Sequence, residues 1–198
     1  EKEERDGLVE MLGGISPAWE GQTLRASIRH PAEWNGEVVV QVGPAGLDER
    51  GDHGAASHIA LALFGHGEEG PLNVPVTYSR NDEVPADSWQ RSGVYFYGYN
   101  DSAFVRRAHD LAAAVRMARA HPDWKVKRLV VRAEGPYAAI AAAARLLAGD
   151  AIDALEVDPM GFDFDQIEDI WDEHMVPGAV KYGGVGALLR LAAAAGED

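Results

Sequence analysis

Apolar residues recur along this chain at two different spacings, and the switches between them mark its elements. "QTLRASIRH" at 22–30 sets Leu24, Ala26 and Ile28 against Thr23, Arg25, Ser27 and Arg29, the alternation of a half-buried strand. "EVVVQVG" at 37–43 is a continuous apolar run between Asn35-Gly36 and Gly43-Pro44, which predicts a central strand covered on both faces. A second short run opens "HIALALFGHGEEG" at 58–70 and is stopped by glycines. "GVYFYGYN" at 93–100 reads as an aromatic strand, with Tyr95, Tyr97 and Tyr99 on one face and Phe96 on the other. "VKRLVVR" at 126–132 predicts another buried strand, and "ALEVDPMG" at 154–161 a strand with its exit loop.

Helical spacing governs the other segments. Phe104, Ala108, Leu111, Val115 and Ala118 share one face of a helix over 101–120. Asp101 or Ser102 caps its start and Pro122 ends it. Pro136 opens a helix over 136–148, because a proline's missing N–H has no partner in the first turn anyway, and Gly149 closes it. "GGVGALLRLAAAA" predicts a final helix. Glu4 to Leu12, with Leu8, Val9, Met11 and Leu12 among charges, predicts a short amphipathic one ended by Gly13-Gly14. Residues 70–92, with Pro71, Pro75, Asn81 and Pro85, show little periodicity and read as a long connection. Strands alternating with helices predict an α/β fold in three layers, a mostly parallel sheet with helices on both faces.

Length and composition narrow this further. A chain of 198 residues, 46% hydrophobic, suits a single domain over 1–198 with a sizeable core. The 18 basic and 32 acidic residues give a formal charge of −14, which argues against a nucleic-acid or anionic-membrane partner, since either needs clustered Lys and Arg. There is no cysteine, so disulfides and thiolate chemistry are excluded. No run approaches the roughly 20 apolar residues of a membrane-spanning helix. The chain starts with Glu1 rather than Met, which makes it a candidate for a processed product or half of a longer tandem-domain protein. The lack of a signal segment is therefore silent about a secreted or periplasmic location.

The chemistry question centres on "LVVRAEGPYAAIA" at 129–141. A buried strand, a tight turn and a helix are the setting in which an α/β-hydrolase elbow holds its nucleophile, with helix N–H groups aimed at the developing oxyanion. Gly135 supplies the small residue such a turn needs. At the tip, placed by the apolar run within 132–134, stand Arg132, Ala133 and Glu134, none with a hydroxyl or thiol. Glu134 is a candidate carboxylate nucleophile, or equally a turn residue facing solvent or pairing with Arg132. Ser102 also follows a strand and opens a helix, but helix capping explains it better.

With these stretches in view, the chain resembles the α/β-hydrolase-fold, acetylxylan-esterase-like proteins of bacteria. "VVVQVGPAG" (38–46) resembles the strand and turn before the oxyanion loop, "LALFGHGE" (61–68) a Phe-Gly-x-Gly-Glu turn, and "YGYNDSAFVRRAHDLAAAV" (97–115) a tyrosine-asparagine stretch with its helix. "AEGPYAAIAAA" (133–143) resembles the elbow in a branch without the serine, and "DPMGFDF" (158–164) with "MVPGAVKYGGVGALLRL" (175–191) the segments after the next strand. The blocks follow the family's order over most of 37–191. The resemblance implies a shortened α/β-hydrolase-like fold. Active members also carry a histidine after one further strand, which has no counterpart before Asp198. Because a triad acts as a unit, loss of the serine removes nearly all of its catalysis.

Other constellations admit sharper and blander readings. His174 in "DIWDEHMVPG", with Asp158, Asp163, Asp165, Glu168, Asp169, Asp172 and Glu173 nearby, reads either as a carboxylate-rich cation site or as an acidic loop. The loop reading is preferred, because the glycine that a calcium loop needs at its sixth position is missing; no metal and no cofactor are expected. His53, His58 and His66 lack a metal-binding helical spacing and read as surface or loop residues. "GHGEEG" lacks the Lys-Ser/Thr of a phosphate loop. Trp89, in the long connection, is the candidate for stacking on a carbohydrate.

Two functions remain at this point. One is a non-catalytic, degenerate hydrolase domain that scaffolds an esterase partner or another copy of itself, or binds a glycan. The other is an active carboxylic-ester hydrolase with an atypical nucleophile or a site completed by another chain. Glu134, Asp158 (placed nearest the triad's acid) and His174 are its candidate catalytic residues. A serine hydroxyl within reach of an imidazole in a cleft would favour the active reading.

Overall fold

A computed structural model describes residues 24–44, 46, 54–66, 72, 96–98 and 100–195. The predicted aminoterminal helix, the long connection with Trp89, and His53 lie outside the described residues. The elements are β1 (Arg25–Arg29), β2 (Glu37–Val42), β3 (Ser57–Ala62), α1 (Ala103–Arg119), β4 (Arg128–Glu134), α2 (Pro136–Ala148), β5 (Ala154–Asp158) and α3 (Gly184–Ala194), with short 3-10 turns between the later ones.

The five strands lie in the order β1-β3-β2-β4-β5. β1 runs antiparallel to β3, and the other pairings are parallel. The continuous apolar run of β2 sits at the centre of the sheet, as its composition requires. Val38, Val39 and Val40 are at most 1% exposed, so side chains are buried on both faces.

The main core lies on the face that carries Val38, Val40, Val42, Ile59, Leu61, Leu129 and Val131, and most of the buried apolar residues of α1, α2 and α3 belong to the same cluster. Val39, Ala56 and Val130 form a separate small cluster on the other face, with Ala154 against it. The helices expected on both faces are thus seen, among the described residues, on one.

α1 buries the predicted stripe of Phe104, Ala108, Leu111, Val115 and Ala118. Ser102 caps it, its hydroxyl accepting from the Val105 N–H. α2 packs against α1, α3, β4 and β5. Its alanines 138–139 and 141–144 are fully buried, because small side chains let helix and sheet approach closely on every side.

Three expectations change. Phe96 to Gly98 are helical rather than extended. Phe96 packs edge-on against both Tyr97 and Trp171, and a helical turn lets these neighbours share one aromatic cluster. Ile28, placed on the buried side of β1, is 57% exposed, because β1 is an edge strand. β4 runs to Glu134, two residues past the strand expected over 126–132. Arg132 stays in the ladder because Glu156 stands opposite it on β5, 2.5 Å from its Nε. Ala133 then returns to the core and Glu134 to solvent.

Candidate functional site: a cleft at the strand ends

The strand order reverses direction between β2 and β4. The chain leaves β2 for β3 on one side and leaves β4 for β5 on the other. Loops diverge at such a point, and open α/β sheets hold ligands there, beyond the carboxyl ends of the strands. A cleft of about 610 Å³ occupies this position. Gln41 to Pro44 and Gly46 form one wall, and Arg132 to Tyr137 the other. Glu156, Met160, Glu173 and His174 complete it.

The extension of β4 moves the tip of the turn. Gly135 stands between the strand and α2 at φ 58°, ψ −137°, a conformation costly for any residue with a side chain. This is the strained strand-to-helix position at which an elbow carries its nucleophile. The tip expected within 132–134 is therefore Gly135, because the polar residues Arg132 and Glu134 belong to the strand. A Cβ built on Gly135 meets nothing within 4 Å, so the position has room for a side chain. The next residue is Pro136. An elbow takes one oxyanion donor from the N–H of the residue after its nucleophile, and proline has none.

Beneath the cleft lies a polar network. Arg107, 1% exposed, donates through Nε to the Phe64 carbonyl at 2.9 Å and through Nη2 to Glu173 at 2.6 Å. The His66 Nδ1 accepts the Leu63 N–H at 3.1 Å. A neutral His66 therefore carries its proton on Nε2 and donates it to the Tyr137 hydroxyl, 2.8 Å away. That leaves the phenolic proton of Tyr137 free to turn elsewhere. Burial, followed by the nearby Arg107 charge, holds His66 below the usual histidine value. Burial likewise lowers His174 and raises the Tyr137 phenol. Burial pushes Glu173 up, but the charge and hydrogen bond of Arg107 outweigh it, so Glu173 stays ionised below the ordinary carboxylate range.

The cleft brings Glu134 and His174 together, with Glu173 beside the imidazole at 3.5 Å. Glu134 is the exposed last residue of β4. Asp158, opposite it on β5, accepts the Met160 N–H at 2.8 Å and so caps the turn after Pro159. Asp163, Asp169 and Asp172 also cap backbone N–H groups, of Phe164 and Val185, Trp171 and His174. These caps give the acidic loop a structural account. Among the described residues no three His, Asp or Glu side chains are grouped to hold a metal ion.

His58 is 3% exposed in β3, not a surface residue, because β3 has a neighbour on each side. His66, beyond the other end of β3, is held by its loop as expected. Arg107 and Tyr137 escaped the sequence reading, and Glu173 entered it only as one of the acidic residues around His174. Arg107 carried a signal, since it lies on the apolar stripe of α1, three residues after Phe104 and four before Leu111.

One serine does meet an imidazole. Ser57 Oγ is 2.6 Å from His30 Nδ1. Ser57 is fully buried at the start of β3, at the opposite end of the sheet from the cleft, so no substrate reaches it. A second cleft of about 430 Å³, between the start of α1 and residues 176–182, is lined by Tyr97, Asp101, Lys181 and Tyr182 among others. No helix among the described residues is long and apolar enough to cross a membrane. Compared with known proteins, the chain matches no family model, no curated protein and no solved structure.

Proposed function

We propose that this chain is a shortened, three-layer α/β-hydrolase-like domain, akin to the acetylxylan-esterase-like proteins, that binds or scaffolds and does not cleave. The observation that carries the reading is the pair Gly135-Pro136: the turn holds no nucleophile at its tip and no N–H after it. The strand order, with a reversed first strand, supports the fold part of the reading. Of the acidic groups lining the cleft, Glu156 is paired with Arg132 and Glu173 with Arg107. Among the described residues Glu134 has no cationic partner, so the cleft suits a neutral or cationic ligand, such as a glycan or a basic segment of a partner domain, over an anion.

An alternative, ester hydrolysis with Glu134 as nucleophile, draws on the presence of Glu134 and His174 in one cleft. Hydrolysis of p-nitrophenyl acetate by the purified chain, beside Glu134→Gln and Asp158→Asn, separates the two. The binding reading expects all three at the no-protein rate. Activity in the parent that falls in Glu134→Gln would replace it with the alternative.

A further inference from the structure

Successive pairs on one face of β4 and β5 follow opposite rules. Arg132 stands opposite Glu156, and the two are joined at 2.5 Å. Two residues further along the same face, Glu134 stands opposite Asp158. Both are carboxylates at exposed strand ends, and like charges set opposite each other on adjacent strands repel. Among the described residues neither has a cationic partner. The turn that follows is unusual as well. It is closed by the Phe162 N–H on the Pro159 carbonyl at 2.9 Å, and its central residues, Met160 and Gly161, have φ of 51° and 80°. Glycine takes this conformation freely and asparagine at small cost, whereas a longer side chain is strained in it. Met160 is the one non-glycine residue with positive φ among those described. Its side chain gains little burial in return: it is 70% exposed, belongs to neither apolar cluster and lines the cleft. An exposed methionine is ordinary by itself; strain accepted at the wall of a cleft points to a role in the cleft.

We propose that the cleft takes an alkyl chain ending in a cation, as in a lysine side chain or a free amine, with Glu134, and Asp158 beside it, holding the charge and Met160 packing on the chain. The inference rests on the binding reading above and narrows its ligand. A cation at Glu134 relieves the repulsion from Asp158 and gives this pair the charge balance that Arg132 and Glu156 already have. An uncharged ligand would leave the two carboxylates facing each other. Asp158 links the two features, because its Oδ1 accepts the Met160 N–H at 2.8 Å and so fixes the turn that presents the methionine. Methionine is flexible and polarisable, so it fits against a run of methylenes in more than one pose. Around the rest of the cleft Glu156 and Glu173 are already held by Arg132 and Arg107. The formal charge of −14 draws cations toward the molecule.

Titration of the full chain with Nα-acetyl-lysine N-methylamide, followed by NMR at the Met160 methyl group, tests this. The norleucine counterpart supplies the chain without the charge, and ammonium chloride the charge without the chain. The lysine probe is expected to shift the Met160 methyl saturably, and the two controls are not. Glu134→Gln is expected to weaken the lysine probe by about threefold or more, the size of an exposed ion pair. Met160→Asn, read at the Gly161 amide, is expected to weaken it by about threefold as well, the effect of losing roughly one methylene of contact. Its melting temperature is expected to hold or rise, because asparagine suits the turn better than methionine. n-Butylamine separates the two sources: tighter binding of the lysine probe identifies a polypeptide, tighter binding of the amine a small molecule, and either supports the proposal. Hydrolysis of p-nitrophenyl acetate is measured on the same samples. Turnover by the parent overturns the binding reading itself. A silent parent whose Met160 methyl does not move overturns this inference alone, as do a norleucine or ammonium shift equal to that of lysine, unchanged affinity in either variant, or a lower melting temperature in Met160→Asn.

Discussion

Each end of the sheet holds a histidine bonded to a hydroxyl, and the two pairs differ in everything else. At the carboxyl end His66 donates to Tyr137 at 2.8 Å, beside a cleft and over a buried arginine. At the amino end His30 meets Ser57 at 2.6 Å, and its ring stacks on Trp124 at 5.3 Å, with Trp34 and His121 alongside. The amino-end pair has the residue types of a hydrolytic dyad, but its serine is fully buried. The carboxyl-end pair has access to a cleft and no nucleophile. Residue types alone do not make a site; where the strands end decides which pair a ligand can meet.

Removing Arg107 should have the largest effect on this contrast. Arg107→Leu leaves the Phe64 carbonyl and Glu173 without their donor. Glu173 is 45% exposed and water replaces part of the loss. A loss of about 2–4 kcal/mol is expected in urea unfolding.

Acidification comes next. His66 and His174 are held neutral in the fold below the ordinary value of 6.5. The unfolded chain therefore takes up protons first as pH falls. Their contribution to stability is full above about pH 6.5 and is lost as pH falls toward their lower folded values, by at most about 1.4 kcal/mol per pH unit for each. Asp110, raised by burial although it accepts the Phe64 N–H, acts in the opposite sense within the carboxylate range. Melting temperatures measured across pH 8 to about pH 5 should hold level and then decline, with the decline reduced in His66→Gln. A level profile down to pH 5 would contradict neutral burial of both imidazoles.

Tyr137→Phe strands the His66 N–H in a half-buried position and should cost about 1–2 kcal/mol. Ser57→Ala should cost less, about 0.5–1 kcal/mol, because His30 is exposed and water replaces the hydroxyl. Equal losses from the two would show that the hydroxyls serve the same role at both ends.

Much of this architecture was legible in the sequence. The apolar run of β2 announced the centre of the sheet, the stripe through Phe104 and Leu111 gave α1, and Pro136 and Gly149 bracketed α2 to the residue. The elbow was legible as a segment but misplaced by its polar neighbours. Arg132 and Glu134 look like a turn in one dimension, and only the facing Glu156 and Asp158 on β5 make them strand. Phe96 to Gly98 alternate like a strand yet form a helical turn, where contact with Trp171, some 75 residues on, overrides local preference. The network under the cleft joins residues from four separate segments, and no local spacing could have assembled it.

The aspartate caps carry a practical consequence. In Asp158, Asp163, Asp169 and Asp172 the backbone N–H groups bond to Oδ1, an atom that asparagine also possesses. Charge and architecture can therefore be varied separately in this loop. Stepwise Asp→Asn replacement at the four positions would carry the formal charge from −14 to −10 at unchanged size and shape. Native electrophoresis would resolve the series as an evenly spaced ladder, an internal ruler for the acidity of the folded molecule.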